Sequence, residues 1–256
     1  MTTGHGPTLF ARFAYPPNAL GYCGADDHAA LFEYGASGVV DGGLTELART
    51  FEGAWPYLEL IAGAAGIDDP LDERVVEAYW IGNRLLERVP MSLMGSSLTD
   101  RFRGVAGRSW AHLAETVPAG AVPTHAYHVF AVYPWVGLLR TGCTDNALHV
   151  LDRCRVRWGT VVSVDGDAVF VRSRPLVWDG RSLRLGASRV EEVVRATDGV
   201  GFVADLEPGA RVALHWDWVC DRLSDRQLRA LRHYTARELE LVNRGVLRSG
   251  PQSVLA

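Results

Sequence analysis

The chain contains no lysine, so all 26 of its basic residues are arginine. Schiff-base enzymes, P-loop nucleotide-binding proteins and enzymes with a lysine general base all depend on a lysine ε-amino group. The sequence therefore excludes these three classes. The formal net charge of −4 gives no indication of the basic face that nucleic-acid binding requires.

Cysteine is scarce and dispersed, at positions 23, 143, 154 and 220, without a C-x-x-C pair. This spacing favours neither a disulfide scaffold nor a zinc finger. No apolar run approaches the roughly 18 residues of a membrane span. The N-terminus also lacks the charged and apolar segments of a signal peptide. We therefore expect a cytoplasmic protein with free thiols and no membrane contact.

The residue pattern changes near position 145, which predicts an α+β fold in two domains. Residues 1–145 are expected to form an α-helical domain of unknown role, with residues 1–24 irregular because glycine, proline and asparagine interrupt them. Its helices are predicted near 26–34, 44–64, 69–89 and 97–115, from apolar residues at helical spacing. The segment 124–139 is too apolar to assign to helix or strand.

Residues 150–245 have short alternating apolar runs separated by turns, a pattern typical of a small OB-like β-barrel. Cys154 stands at the start of a predicted hairpin whose turn is Asp165-Gly166-Asp167. A later strand, 210–216, follows the turn 207–209 and carries His215. A helix from Asp225 to about residue 243 closes this domain, and 246–256 form a tail. A cysteine and a histidine at strand ends of one barrel could face a single pocket.

These features, in this order, resemble the HypC/HupF family of [NiFe]-hydrogenase maturation chaperones. Cys154 stands at the position of the family's N-terminal cysteine, and His215 at that of its histidine. The segment Gly159-Thr160-Val161-Val162, the turn at 165–168 and the turn Glu207-Pro208-Gly209 also match the family pattern. The resemblance covers residues 152–240. In this chain the cysteine is internal, and the middle segment 174–206 is longer than the family's.

The resemblance implies that Cys154 and His215 hold an iron that carries cyanide and carbon monoxide ligands. The implied partners are a hydrogenase large subunit or a HypD-like scaffold protein. Arg155, Arg157 and Trp158 replace the family's apolar segment, so they are candidates for partner binding. The two arginines are also expected to favour the Cys154 thiolate. Cys154 as a small buried hydrophobic residue is the alternative interpretation.

The predicted helical half offers a second candidate site, which belongs to a different class of protein. His125 and His128 are three residues apart, so on a helix they would share a face and could bind a metal. Cys23 and His28 flank a predicted helix N-terminus, where the helix dipole lowers a thiol pKa. These four residues support the alternative of a metal- or thiol-dependent enzyme with an accessory barrel. A third alternative is that the protein is an interaction module that binds no metal. The remaining cysteines, Cys143 and Cys220, are interpreted as structural residues.

Overall fold

A computed structural model describes residues 5–104, 109–140, 142 and 144–248. The helices are α1 His5–Ala19, α2 His28–Ser37, α3 Gly42–Arg49, α4 Trp55–Ala65, α5 Glu73–Trp80, α6 Met91–Phe102, α7 Ser109–Thr116, α8 His125–Tyr127, α9 Trp135–Arg140, α10 Thr144–Cys154 and α11 Asp225–Arg248. A 3₁₀ helix spans Arg84–Arg88, and one π-helical turn spans His128–Val132. The strands are β1 Arg157–Asp165, β2 Ala168–Ser173, β3 Leu176–Trp178, β4 Leu183–Leu185, β5 Arg189–Val194, β6 Ala196–Thr197, β7 Val200–Gly201, β8 Arg211–His215 and β9 Trp218–Arg222.

The fold class is confirmed as α+β, with helices first, then a strand-rich region and a closing helix. The prediction that residues 1–24 are irregular is wrong, because α1 is a helix of 15 residues at the centre of the main hydrophobic cluster. Its side chains Leu9, Phe10 and Phe13 are fully buried. Burial of this apolar face outweighs the cost of Pro16 and Pro17 in its last turn.

Three predicted helices are interrupted, and the one predicted over 69–89 divides into α5 and the 3₁₀ helix Arg84–Arg88. The segment 44–64 forms α3 and α4, and Pro56 lies in the first turn of α4, where it needs no backbone N–H donor. The segment 97–115 contributes to α6 and α7, and residues 105–108 between them lie outside the described residues. The helix predicted from residue 69 begins later, at Glu73. Asp72 is its N-cap, because the Asp72 side chain accepts a hydrogen bond from the backbone N–H of Arg74.

The strands of the second half form the predicted barrel-like sheet, in the order β1-β2-β5-β9-β8, with β8 returning to β1. The seam between β5 and β9 is a single parallel pair, Val194 with Trp218, so the ring is only narrowly joined there. The predicted hairpin is confirmed, since Asp165 pairs with Ala168 across a two-residue turn whose Gly166 has a φ of +54°. The closing helix is α11, which starts at Asp225 as predicted but runs to Arg248, so residues 246–248 are helical and do not belong to the predicted tail.

The two predicted domains share their hydrophobic core. The largest cluster joins Phe13 and Trp80 of the helical half to Ala213 of β8 and Leu231 of α11. The helix α10 also spans the predicted boundary at 145–150 and runs to Cys154. Cys154 is therefore the last residue of a helix and does not stand at the start of a strand. In the described part of the chain, no helix is both long and apolar enough to cross a membrane.

Candidate metal centre

Three buried side chains from distant parts of the sequence meet between the two halves. His125 comes from α8, Cys154 from the end of α10 and His215 from the end of β8. One potential ligand atom from each lies within 4.8 Å of the others. We call these three residues the histidine–cysteine cluster. It joins the predicted pair Cys154 and His215 with one residue of the second candidate site, His125.

The orientation of His215 is fixed by the two prolines of α1. The carbonyl of Phe13 would normally accept a bond from the N–H of the residue three or four positions later, but both positions are proline. His215 Nδ1 lies 2.6 Å from this carbonyl oxygen and donates to it. Nδ1 therefore carries the proton, and Nε2 keeps a lone pair. This Nε2 is buried and has no hydrogen-bond partner among the described residues, although the Cys154 carbonyl also acts on the ring.

His125 is held by two contacts. Its Nε2 lies 2.7 Å from the carbonyl oxygen of Cys154 and donates to it, and its Nδ1 lies 3.3 Å from the Tyr79 hydroxyl. The same Nε2 is 3.9 Å from Cys154 Sγ. Burial lowers the pKa of His125 to about 4, so the ring is neutral at pH 7. His125 would bind a metal through Nε2 only after this nitrogen releases the carbonyl and its proton.

Burial raises the pKa of the Cys154 thiol well above its ordinary value, although the Trp216 side chain acts in the opposite direction. Burial also lowers the pKa of His215 well below its usual range, and the neighbouring His125 adds to this effect. The metal-free cluster is therefore electrically neutral at pH 7. Because a bound metal requires a thiolate, metal binding at this site would release the Cys154 proton.

A cavity of about 160 Å³ opens beside the cluster. Its wall contains His125 and Cys154, together with aromatic and other mostly apolar residues of both halves. The other lining residues are Pro17, Tyr22, Cys23, Phe51, Gly53, Ala54, Tyr79, Trp80, His128, Tyr133, Pro134, Trp135, Val150 and Trp216. No aspartate, glutamate or arginine is among them. The half-exposed Tyr22 and the partly buried Cys23 place its outer wall at the loop between α1 and α2.

The second candidate site is only partly assembled. Cys23 and His128 line the cavity, and His128 Nδ1 lies 3.4 Å from the Tyr57 hydroxyl. His28 begins α2 on the surface and does not line the cavity. The expectation of a lowered pKa at Cys23 is wrong, because burial raises it to about 12. Cys220 is buried in β9, and Cys143 lies outside the described residues.

Arg155 and Arg157 lie in the interior, each with 1% of its surface exposed. Arg155 donates to Asp152 at 2.9 Å, and Arg157 donates to Glu191 and to the Trp216 carbonyl. We call the set Asp152, Arg153, Arg155, Arg157 and Glu191 the arginine cluster.

These pairings leave neither guanidinium free to contact a partner's surface. The expected thiolate-favouring effect of the two arginines is also not found, since the pKa of Cys154 is raised. The half-buried Trp158 packs near the guanidiniums of Arg155 and Arg232.

Trp80 and Phe13 also contact the cluster, and the sequence does not predict this, because an apolar residue at helical spacing indicates only burial. The Trp80 ring lies 4.6 Å from that of His125 and 5.5 Å from that of His215, measured between centroids. It thus separates the two imidazoles from the helical core. The one signal for Phe13 was the Pro16-Pro17 pair, which leaves its carbonyl without a donor inside the helix.

The donor set of two imidazoles and one thiolate suits zinc, copper and iron. Zn–N and Zn–S bonds of about 2.0 and 2.3 Å put tetrahedral ligand atoms about 3.3–3.6 Å apart. The 3.9 Å between Cys154 Sγ and His125 Nε2 is close to this spacing, whereas the three ligand atoms together are separated by up to 4.8 Å, so a bound metal would have to draw them closer. Three protein ligands leave at least one coordination position open, and the cavity lies beside it.

A family model described as a family of unknown function (DUF6390) matches residues 2–249 of the chain. No curated protein and no solved structure matches the chain. The family match covers both halves, which agrees with the single core that they share.

Proposed function

We propose that this chain, which belongs to the DUF6390 family of unknown function, binds a transition-metal ion through His125, Cys154 and His215. The observation that carries the proposal is the convergence of these side chains within 4.8 Å in a buried position. The unpaired Nε2 of His215 supports it, because a buried lone pair without a donor is costly unless a ligand completes it. The hydrogen bond from Nδ1 to a backbone carbonyl is the usual support of a metal-binding histidine.

The biological role we propose is that of a HypC-like accessory protein in [NiFe]-hydrogenase maturation, acting in the cytoplasm. Its cargo would be an iron that carries cyanide and carbon monoxide ligands. The proposal is supported by the fact that Cys154 and His215, the residues of the resemblance, lie side by side. A thiolate and imidazoles suit low-valent iron, and an incomplete protein ligand set allows the cargo to leave. The partner would be a hydrogenase large subunit or a HypD-like scaffold protein.

Within this role the helical half supplies part of the site. His125 is the third ligand, while α1 orients His215 through the Phe13 carbonyl. A barrel of residues 152–240 alone would lack both contributions. The cavity would give the small ligands of the metal an apolar surrounding and would exclude bulk water.

A second candidate function is a metalloenzyme that uses the same centre. The observation in its favour is the cavity, since Cys23 and His128 line it together with His125 and Cys154. A small substrate in this cavity would lie next to the open coordination position. In this case turnover, and not transfer of the metal, would be the function.

Titration of the metal-free protein with Co²⁺ tests the metal centre. We expect a thiolate-to-cobalt charge-transfer band with one equivalent bound, and a loss of affinity of at least 100-fold in Cys154→Ser and in His215→Ala. Cys220→Ser is the matched control, because Cys220 is buried but lies outside the cluster. Equal affinity in Cys154→Ser and Cys220→Ser would refute the centre.

Infrared spectra separate the two candidate functions. The protein would be purified without oxygen from cells that contain a working hydrogenase maturation system. Bands in the CO and CN stretching region that disappear in Cys154→Ser would support the carrier. A protein that binds Co²⁺ through Cys154 but never shows these bands would favour the metalloenzyme.

A further inference from the structure

The Tyr79 hydroxyl contacts the ring nitrogen of His125 that is not directed at Cys154. The hydroxyl oxygen lies 3.3 Å from His125 Nδ1 and 3.3 Å from the carbonyl oxygen of Gly53. Tyr79 and His125 are both buried, with 1% and 7% of their surfaces exposed. A phenol hydroxyl is both a donor and an acceptor, so Tyr79 can donate to either neighbour and can also accept from His125.

The contacts of His125 fix its proton in the metal-free protein. A carbonyl oxygen only accepts hydrogen bonds, so the 2.7 Å contact with the Cys154 carbonyl requires a proton on Nε2. In a neutral imidazole the other nitrogen, Nδ1, then has a lone pair. The Tyr79 hydroxyl therefore donates to Nδ1 in this state.

Metal binding would reverse the roles of the two ring nitrogens of His125. Nε2 has to lose its proton before it coordinates a metal, since a protonated nitrogen has no free lone pair. The ring stays neutral when Nδ1 gains a proton, and because both protons are exchanged with water the charge of the ring does not change. Nδ1 then needs an acceptor, because a buried N–H without one is costly.

Tyr79 can supply this acceptor without moving its ring. Rotation about the bond between ring carbon and oxygen directs the hydroxyl hydrogen to the Gly53 carbonyl, and the oxygen then accepts from His125 Nδ1. The ring itself is held between aromatic neighbours. It stacks on Tyr57, with centroids 5.8 Å apart and planes at 23°, and lies edge-on to Trp80 at 4.8 Å. Nδ1 thus has a hydrogen-bond partner in both states.

We infer that Tyr79 is a positioning residue of the metal centre, and that its hydroxyl reverses its hydrogen bond with His125 Nδ1 when His125 changes tautomer to bind the metal. The inference rests on the proposed function. A metal-binding histidine usually donates its second N–H to an acceptor that fixes the tautomer, and Tyr79 takes this role for His125. The helical half thereby controls loading of the centre, since α5 carries Tyr79 and the loop between α3 and α4 carries Gly53.

Tyr79→Phe tests the inference, because it removes the hydroxyl and keeps the ring. The metal-free protein loses one donor to Nδ1, whereas the metal-bound protein is left with a buried N–H that has no acceptor. We therefore expect the Co²⁺ affinity of the full-length protein to fall about 10-fold or more.

Tyr57→Phe is the matched control. Tyr57 is equally buried and stacks on Tyr79, but its hydroxyl lies 3.4 Å from Nδ1 of His128, which is outside the histidine–cysteine cluster. Its Co²⁺ affinity should stay within about twofold of the wild type. Equal Co²⁺ affinities in Tyr57→Phe and Tyr79→Phe would overturn the inference and leave the metal centre intact.

A double-mutant cycle separates positioning from general destabilisation. In a His125→Ala background, Tyr79→Phe should cause no further loss of Co²⁺ affinity, because Tyr79 acts on the metal only through His125. The same loss in both backgrounds would show that Tyr79 has a structural role alone, which also overturns the inference.

Imidazole ¹⁵N NMR of the wild type reads the tautomer directly, with His125→Gln used to assign the signals. We expect the His125 proton on Nε2 in the metal-free protein and on Nδ1 in the Zn²⁺-loaded protein. A proton that stays on Nε2 in the loaded protein overturns the inference, even if Tyr79→Phe does not fold. Failure of the wild type to bind Co²⁺ and Zn²⁺ refutes the metal centre itself.

Discussion

Two buried polar clusters lie near Cys154, and they differ in charge: the arginine cluster consists of ion pairs, although Arg155 Nε and Arg157 Nε have no hydrogen-bond partner among the described residues. In the arginine cluster every guanidinium has a carboxylate partner, and Glu191 alone accepts from Arg153, Arg157 and Ser173. In the histidine–cysteine cluster the side chains are neutral, and His215 Nε2 has no partner. A paired charged cluster acts as a structural support, whereas a neutral cluster with a free lone pair can accept a ligand.

The two clusters are connected through the backbone. Arg153 and Arg155 flank Cys154 in the sequence, and their salt bridges to Glu191 and Asp152 fix the end of α10. Arg157 donates a hydrogen bond to the carbonyl of Trp216, whose side chain lines the cavity. The arginine cluster thus sets where Cys154 and Trp216 stand, while the other cluster provides the chemistry. The comparison shows that an arginine next to a cysteine in the sequence need not lower the pKa of the thiol, because it can pair with a carboxylate instead.

Glu191→Gln should produce the largest change, because it removes the central carboxylate of the arginine cluster. It leaves Arg157 buried without a counter-charge, so we expect a loss of about 3–5 kcal/mol in the free energy of unfolding. Urea unfolding of the metal-free protein measures it. Arg184→Ala breaks the exposed pair with Asp179 and should cost less than about 1 kcal/mol. Similar losses in both variants would contradict the supporting role of the cluster.

Lowering the pH should destabilise the folded protein through the histidine–cysteine cluster. Burial lowers the pKa of His125 from 6.5 to about 4, so between these values the unfolded chain binds a proton that the folded chain does not. Stability is complete above pH 6.5 and falls as the pH drops to 4, by about 3 kcal/mol from this residue. Unfolding of the metal-free protein at several pH values measures the loss. His125→Gln should show a shallower decline, and parallel curves would refute the assignment.

Pro17→Ala should have the smallest effect and tests how α1 orients His215. The new backbone N–H at position 17 would compete with His215 Nδ1 for the Phe13 carbonyl. We expect the Co²⁺ affinity to fall about 10-fold, at the low end for a group that supports a ligand, because a carbonyl can accept two bonds. Pro7→Ala, near the start of the same helix, is the control. Unchanged Co²⁺ affinity in Pro17→Ala would show that the orientation of His215 does not depend on this carbonyl.

The candidate site illustrates how far local sequence patterns reach. The order of turns and strands suggests Cys154 and His215 as a pair, and the structure places their ligand atoms within 4.8 Å of each other. His125 was assigned to a separate site with Cys23, His28 and His128, because sequence distance gave no reason to join it to Cys154. Contacts across 29 and 61 positions depend on how α8, α10 and β8 pack together.

The sequence by itself determined the strand-rich second half, its hairpin at Gly166 and its closing helix, because alternating apolar residues and turn residues act locally. It also determined the absence of lysine chemistry. Only the tertiary structure decided that α1 is a helix, since its burial outweighs two prolines. The tertiary structure also decided that Arg155 and Arg157 lie in a buried charged cluster and that residues of both halves line one cavity. These outcomes depend on long-range packing and on the free energy of burying polar groups, which no short stretch of sequence specifies.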